Sequence, residues 1–143
     1  MSQTNVDLAK RLYELFARGD IPGVLGLFDP QIEWHQAEGN PYQSDGAAWV
    51  GPDAVLNKLF VRLGQEWDGF AVRPETFTAT ERGVLMEGRY TGTYKPTGRS
   101  INLQVAHVLR MRDRKLTHFQ QYLDTAALHA AMIRPALSAA IAD

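Results

Sequence analysis

The chain has 143 residues, 45% of them hydrophobic and 22% charged, with a formal net charge of −1 at neutral pH. This length suits a single domain with its own core, and the near-zero charge argues against nucleic acid or membrane partners, which need a positive surface. The absence of cysteines excludes disulfides, thiol nucleophiles and cysteine-based zinc sites.

Two helices are predicted before the first strand. Apolar side chains recur every three or four residues over 5–18, and Gly19 indicates where that helix ends. Asp20 is expected to cap a second, shorter helix, which ends before an extended segment at 31–35. The N-terminal segment lacks the basic opening and apolar run of an export signal, so we expect a cytoplasmic protein.

A loop and a third helix are predicted next. Residues 36–50 are rich in glycine and polar turn formers, and we interpret them as a loop anchored by Tyr42 and Trp49. Pro52 favours a helix start, and the apolar stripe that follows it ends at Trp67.

The segment 70–123 has the pattern of an antiparallel meander. Short strand-like runs are joined by turns, of which KPTGR and RDRK are the clearest hairpin bends. On one strand large side chains alternate with Gly88 and Gly92, which predicts a curved sheet with free space above the glycines.

The C-terminal segment is predicted to be helical. Asp124 and Thr125 can cap a helix that continues to Pro135, so 125–143 is interpreted as a helical extension of one domain spanning 1–143. Helices followed by a sheet indicate an α+β fold.

One histidine breaks the polarity of its strand. In INLQVAHVLRMR apolar and polar side chains alternate, and His107 falls on the apolar side. It is either an ordinary buried histidine with both ring nitrogens satisfied or a residue of a pocket. In both cases burial favours the neutral ring.

Five segments, in order, resemble the nuclear transport factor 2-like superfamily, in particular its SnoaL-like and ketosteroid isomerase-related branch. They are RGDIPGVLGLFDPQIEWH, the helix start GPDA, EGRYTGTYKPTGR, AHVLRMRDRKL and QQYLDT. The resemblance implies a cystatin-like cone, in which a strongly curved antiparallel sheet and three helices from the N-terminal half enclose a pocket for a small, mostly apolar ligand. A C-terminal helix completes it.

The resemblance also implies catalytic candidates. His107 falls where ketosteroid isomerases place an acid that hydrogen-bonds the developing oxyanion. His35 falls near their proton-shuttling carboxylate and shares a strand face with Glu33; an imidazole needs less tuning to act near neutral pH, so His35 is the preferred base. Gln121 replaces the catalytic Asp of SnoaL-like cyclases, and an amide cannot accept that proton. Neither parent mechanism transfers intact.

Several aromatic or polar side chains are candidates for substrate contact, although at such spacings aromatic residues can equally be core. Leu12 replaces the oxyanion tyrosine of the isomerases, and the adjacent Tyr13 is expected on another helix face. His118 is interpreted as a surface residue. The substrate-binding candidates are Tyr13, Trp34, Trp49, Phe60, Tyr90, Phe119 and Gln121.

We therefore expect a protein without cofactor that binds a small apolar, oxygenated molecule, with isomerase-, cyclase- or hydrolase-like acid/base chemistry. The alternatives are a binding protein without turnover and a dimeric scaffold. The histidines lack the spacing of metal ligands, so no metal is expected. A homodimer is expected because the outer face of the sheet, including Val108, needs covering.

Overall fold

The computed structural model describes residues 2–133, which form an α+β structure with helices on one face of a six-stranded sheet. The helices are α1 (Ser2–Ala17), α2 (Ile21–Gly26), α3 (Pro52–Val55), α4 (Val61–Glu66) and α5 (Thr125–Met132). The strands are β1 (Phe28–His35), β2 (Trp49–Val50), β3 (Trp67–Ala79), β4 (Gly83–Tyr94), β5 (Arg99–Arg112) and β6 (Lys115–Leu123). The predicted helix end at Pro135, and the extension beyond residue 133, lie outside the described residues.

The two N-terminal helices form where the sequence indicated. Helix α1 begins three residues earlier than predicted and ends before Gly19, whose φ of +74° suits a residue without a side chain. Asp20 caps α2 as predicted, because its Oδ1 accepts the Gly23 N–H at 2.9 Å.

The third predicted helix is one continuous helical segment. A π-helical turn, Leu56–Phe60, joins α3 to α4, and the start at Pro52 is confirmed. The prediction is wrong at Trp67, which has extended backbone (φ −121°, ψ 144°) and begins β3. Its side chain is nevertheless buried, so the apolar pattern predicts the burial of Trp67 correctly and the end of the helix wrongly.

The sheet has the strand order β2-β1-β6-β5-β4-β3. Strands β3 to β6 form the predicted antiparallel meander, and the β5–β6 hairpin turns at Asp113 and Arg114, which both have positive φ. Strand β1 pairs with β6 in parallel, so the sheet is mixed and not wholly antiparallel as expected. The first and last long strands of the chain are thereby neighbours in the sheet.

The glycines of β4 mark close approach between strands. A Cβ on Gly88 would lie 2.3 Å from the Arg73 carbonyl oxygen, and one on Gly92 would lie 3.0 Å from Cα of Phe70. The register between β3 and β4 shifts near both positions. The expected free space above these glycines is therefore wrong: the backbone of β3 occupies it, and the glycines allow the sheet to bend there.

The core lies between the helices and the sheet face that they cover, which we call the inner face; the opposite one is the outer face. Helix α5 closes one end of this core with Leu128. Two side chains of the β4–β5 hairpin hold its last turn: Thr97 Oγ1 donates to the Ala131 carbonyl and Arg99 Nη1 to the Ala130 carbonyl, each at 2.6 Å. Across residues 2–133, no helix has the length and apolar character needed to cross a membrane.

Candidate functional site

A cavity of about 70 Å³ lies between the helices and the inner face of the sheet. One water molecule needs about 10–15 Å³ by the same kind of measure, so the cavity can hold something larger than a single water. Most of its wall is aliphatic or aromatic. Apart from two tryptophans, the polar side chains on the wall are Tyr13, Gln36, Asn40, Tyr42, Tyr90, His107 and Gln121.

His107 lies on this wall, in the middle of β5. The alternation of the strand turns its ring inward, and the residue is 3% exposed. Its Nδ1 is 2.6 Å from the Tyr13 hydroxyl, its Nε2 is hydrogen-bonded to the Tyr90 hydroxyl, and its ring packs at 4.5 Å against that of Phe119. One imidazole thus joins helix α1 to strand β4 across the cavity wall.

Burial keeps His107, Tyr13 and Tyr90 uncharged at neutral pH. Burial lowers the pKa of His107 to about 3, because a charged ring would lose its hydration. Burial also raises the pKa of Tyr13, with a smaller contribution from Tyr90, and burial raises the pKa of Tyr90. A neutral imidazole has one N–H and one acceptor nitrogen. One tyrosine therefore donates to the ring while the other accepts from it.

Gln121 connects the hydrogen bonds of His107 and Tyr90 to the loop that follows β1. Its Oε1 accepts the Asn40 Nδ2–H at 2.8 Å and the Ala37 N–H at 3.2 Å, and its Nε2 donates to the Tyr90 oxygen at 3.0 Å. Asn40 Oδ1 in turn accepts the Tyr42 N–H at 2.9 Å. Both amides are almost fully buried, so these bonds compensate for the water that they lost.

The loop contributes wall residues that sequence reasoning missed. Tyr42 and Trp49 are buried anchors as predicted, but Gln36 and Asn40 are also buried and line the cavity. Asn40 caps the short 3₁₀ turn Pro41–Gln43. The Asn-Pro pair is a typical turn signal and could have located the cap, whereas nothing local indicated its burial.

The predicted base candidates lie on the wrong side of the sheet. Trp34 points inward, so its neighbours Glu33 and His35 point to the outer face, because side chains alternate along a strand. There Glu33 Oε2 lies 2.6 Å from Nε2 of His118, with both side chains partly exposed. The expected arrangement of His35 or Glu33 on a wall facing His107 is therefore wrong; His118 is near the surface as predicted.

Most of the predicted substrate contacts do reach the cavity. The exception is Trp49, which is buried in the core beside β1 but is not on the wall. Tyr13 and its neighbour Leu12 both reach the wall, contrary to the expected helix face for Tyr13. Trp34 and Phe119 stack with ring centroids 3.6 Å apart. The predicted contacts on the wall are Tyr13, Trp34, Phe60, Tyr90, Phe119 and Gln121.

The wall offers neutral hydrogen-bonding groups in apolar surroundings. Within the described residues no carboxylate, lysine or arginine lines the cavity. Nor does the described part of the chain place three His, Asp or Glu side chains where they could hold a metal ion. Such a wall can bind an apolar molecule and polarise one of its oxygen atoms, since hydrogen bonds are stronger in a low dielectric.

The family model of the SnoaL-like domain matches residues 9–119. The chain belongs to the SnoaL-like family. This SnoaL-like protein is 31% identical to an NTF2-like protein from Burkholderia thailandensis E264, over 92% of this chain and 98% of that one, with a TM-score of 0.84. It is 28% identical to an NTF2-like protein from Burkholderia xenovorans LB400, over 92% and 98% of the two chains, with a TM-score of 0.78.

A more distant structure shows the fold alone. A hypothetical protein with a ketosteroid isomerase-like fold from Catenulispora acidiphila is 18% identical to this SnoaL-like protein, over 90% of this chain and 94% of that one, with a TM-score of 0.73. No curated protein matches the sequence. The predicted superfamily and its α+β cone are confirmed, with the sheet mixed.

Proposed function

We propose that this SnoaL-like protein binds a small, neutral, mostly apolar molecule in the cavity and holds one oxygen atom of that molecule beside His107. The observation that carries the proposal is a buried imidazole joined to two tyrosine hydroxyls, Tyr13 and Tyr90, on an otherwise apolar wall. Polar groups cost free energy to bury, and their position next to an open cavity gives them a use beyond packing.

The neutrality of the wall defines the ligand further. The pKa shifts leave His107 and both tyrosines uncharged at neutral pH, and a ligand charge buried without a counter-ion would be costly. A neutral carbonyl, ether or hydroxyl oxygen fits. The aromatic and aliphatic wall would supply affinity in proportion to the apolar area it buries, about 25 cal/mol per Å².

The test uses the three tryptophans as reporters. Trp34 and Trp67 line the cavity and Trp49 does not, so the three indole N–H signals separate binding in the cavity from binding elsewhere. On titration of the ¹⁵N-labelled protein with cyclohexanone, the Trp34 and Trp67 signals should move along a saturable curve and the Trp49 signal should stay in place. Equal movement of all three, or of none, would contradict the proposal.

A matched pair of variants locates the ligand oxygen. In His107→Phe the ring nitrogens are lost while an aromatic ring remains, and cyclohexanone should bind more weakly. His118→Phe makes the same change outside the cavity, where the side chain is 40% exposed, and should leave the affinity unchanged. If the two variants bind cyclohexanone equally well, the ligand oxygen does not lie beside His107.

Acid/base turnover of isomerase or cyclase type is the second candidate function. It is favoured by the unbroken connection Tyr13–His107–Tyr90, through which protons can move in concert. As the Tyr13 O–H proton passes to a ligand oxygen, the Nδ1 proton passes to Tyr13, the Tyr90 proton passes to Nε2, and a ligand proton passes to Tyr90. No net charge forms on the protein, which suits groups that resist ionisation.

Deuterium exchange separates turnover from binding. In D₂O, the wild-type protein should exchange the protons next to the carbonyl of cyclohexanone faster than buffer alone, and Tyr90→Phe should not. If cyclohexanone binds but its protons exchange only at the rate seen in buffer, the protein binds this ligand without turnover.

A homodimer and a cytoplasmic location are also proposals. The outer face of the sheet carries Tyr122, which is 57% exposed, beside half-buried Val108, and an apolar patch of this kind favours association. Light scattering should give twice the mass of one chain, and Tyr122→Asp should halve it. Cell fractionation tests the location.

A further inference from the structure

The backbone fixes the orientation of the two amides behind Tyr90. A backbone N–H can only donate, so the atom of Asn40 that meets the Tyr42 N–H at 2.9 Å is the carbonyl oxygen, and its Nδ2 faces Gln121. The Ala37 N–H identifies Oε1 of Gln121 in the same way. What remains to face the Tyr90 oxygen, at 3.0 Å, is the donor Nε2 of Gln121.

This donor gives the hydrogen-bond chain a direction. Bonds in a chain strengthen one another when each hydroxyl that accepts also donates onward, so Tyr90, which accepts from Gln121, is expected to donate to Nε2 of His107. The ring proton then resides on Nδ1 and is donated to the Tyr13 oxygen. The Tyr13 O–H is left over: among the described residues, its hydroxyl has hydrogen-bond contact with the His107 ring alone.

Among the other polar side chains of the wall, Gln36 adds a donor to the Tyr13 O–H. The carbonyl oxygen of Gln36 accepts the Trp34 Nε1–H at 2.9 Å, and those of Asn40 and Gln121 are occupied as described above. By contrast, Nε2 of Gln36 has no acceptor within residues 2–133. A ligand oxygen that accepts would satisfy a donor that otherwise has no partner, whereas the proton of a ligand hydroxyl would have to share a carbonyl oxygen that already accepts an N–H.

We propose that Asn40 and Gln121 are positioning residues that orient the hydrogen bonds through Tyr90 and His107 so that Tyr13 donates to the ligand. We propose further that the ligand oxygen is an acceptor only, such as a carbonyl. The inference rests on the proposed function, because it concerns the ligand of the same cavity. Asn40 and Gln121 act through Tyr90 and His107.

The position of the ring proton is the first test and needs no ligand. Long-range ¹H–¹⁵N spectra of the histidine-labelled wild-type protein at neutral pH show which ring nitrogen carries hydrogen. The expected result for His107 is the Nδ1–H form. A proton on Nε2 would overturn the proposal, since Tyr13 would then donate to the ring.

The second test reverses the direction of the hydrogen bonds. In Gln121→Glu an ionised carboxylate accepts the Tyr90 proton, so the His107 proton should move to Nε2. Gln120→Glu places the same change on the outer face and should leave the proton on Nδ1. The spectra are recorded at a pH where carbon-13 shifts show the new carboxyl group to be ionised. A folded Gln121→Glu protein that keeps the proton on Nδ1 would overturn the role of Gln121; if it does not fold, the wild-type spectrum still decides the direction.

Ligand selection is the third test. Cyclohexanone and cyclohexanol have nearly the same shape, and the ketone should bind the wild-type protein roughly fivefold more tightly, the value of about one hydrogen bond. Tyr13→Phe should weaken the binding of cyclohexanone about fivefold, because the donor to its oxygen is lost. Equal or tighter binding of cyclohexanol would overturn the proposal while leaving the proposed function intact. If neither probe binds, the proposed function fails, and the ring-proton measurement still decides the direction of the chain.

Discussion

The hydroxyl oxygen of Tyr13 lies 2.6 Å from Nδ1 of His107, although 94 positions separate the two residues in the chain. Helix α1 carries the tyrosine and strand β5 carries the histidine, so the bond forms only when the helix covers the inner face of the sheet. Stability and the proposed ligand binding therefore depend on the same atoms.

Replacing His107 by Phe should destabilise the fold. The aromatic ring is kept, but the Tyr13 hydroxyl loses its partner and the Tyr90 hydroxyl keeps only Gln121, and each lost bond costs about 1–3 kcal/mol. Urea denaturation measures the free energy of unfolding. His118→Phe, at a partly exposed ion pair, should change it by less than about 1 kcal/mol. Equal losses in the two variants would contradict a special role for the His107 nitrogens.

The stability contributed by neutral His107 should depend on pH. Its pKa in the folded protein is about 3, below its ordinary value of 6.5, so the unfolded chain binds the extra proton first as the pH falls. The contribution is complete above pH 6.5 and is lost towards pH 3, at about 1.4 kcal/mol per pH unit.

A comparison with His107→Phe isolates this term from the carboxylates. The stability advantage of the wild type over the variant should shrink by about 2 kcal/mol between about pH 6.5 and about pH 5. An advantage that stays constant over this interval would show that the folded protein binds the proton as readily as the unfolded chain.

Outer-face substitutions should leave the cavity unchanged. His35→Ala and Glu33→Gln alter side chains that point away from the cavity, so the Kd for cyclohexanone should change less than about twofold. Phe119→Leu alters the wall itself and should weaken binding about fivefold, or about 1 kcal/mol of lost apolar contact. Loss of binding in His35→Ala would refute the assignment of β1 faces.

Two glycine substitutions should have opposite effects on stability. In Gly88→Ala the new Cβ would meet the Arg73 carbonyl oxygen at 2.3 Å, and the forced backbone shift should cost about 1–3 kcal/mol. In Gly64→Ala, on exposed helix α4, nothing lies within 4 Å, and the better helix former should add up to about 1 kcal/mol. Thermal denaturation of both variants provides the comparison.

The inward orientation of His107 was predictable because it follows from local geometry. Alternation along β5 assigns a face to every side chain, and the meander with its hairpins follows from the same pattern. That pattern in β1 also favours Trp34 as the inward residue. The prediction of His35 as a base rests on the family resemblance, which aligns it near a catalytic carboxylate, and the strand geometry overrides it.

The loop after β1 shows what local patterns cannot predict. Asn40 and Gln36 look like ordinary loop residues, yet they are buried in the cavity wall. The burial of Asn40 is compensated by Gln121, which is 81 positions away in the chain, whereas Gln36 is hydrogen-bonded to the nearby Trp34 and Gln43. A polar residue is buried when a distant partner compensates for its lost hydration, and the sequence near it carries no record of that partner.

The sequence by itself determined the α+β class, the order of helices and strands and the face of β5 on which His107 lies, because these depend on backbone periods of 3.6 and 2 residues. Only the tertiary structure decided which side chains surround the cavity. It brought Tyr13, Tyr90 and Gln121 to His107 and sent His35 to the outer face. Contacts between distant segments depend on how the helices pack on the bent sheet, which no local period encodes.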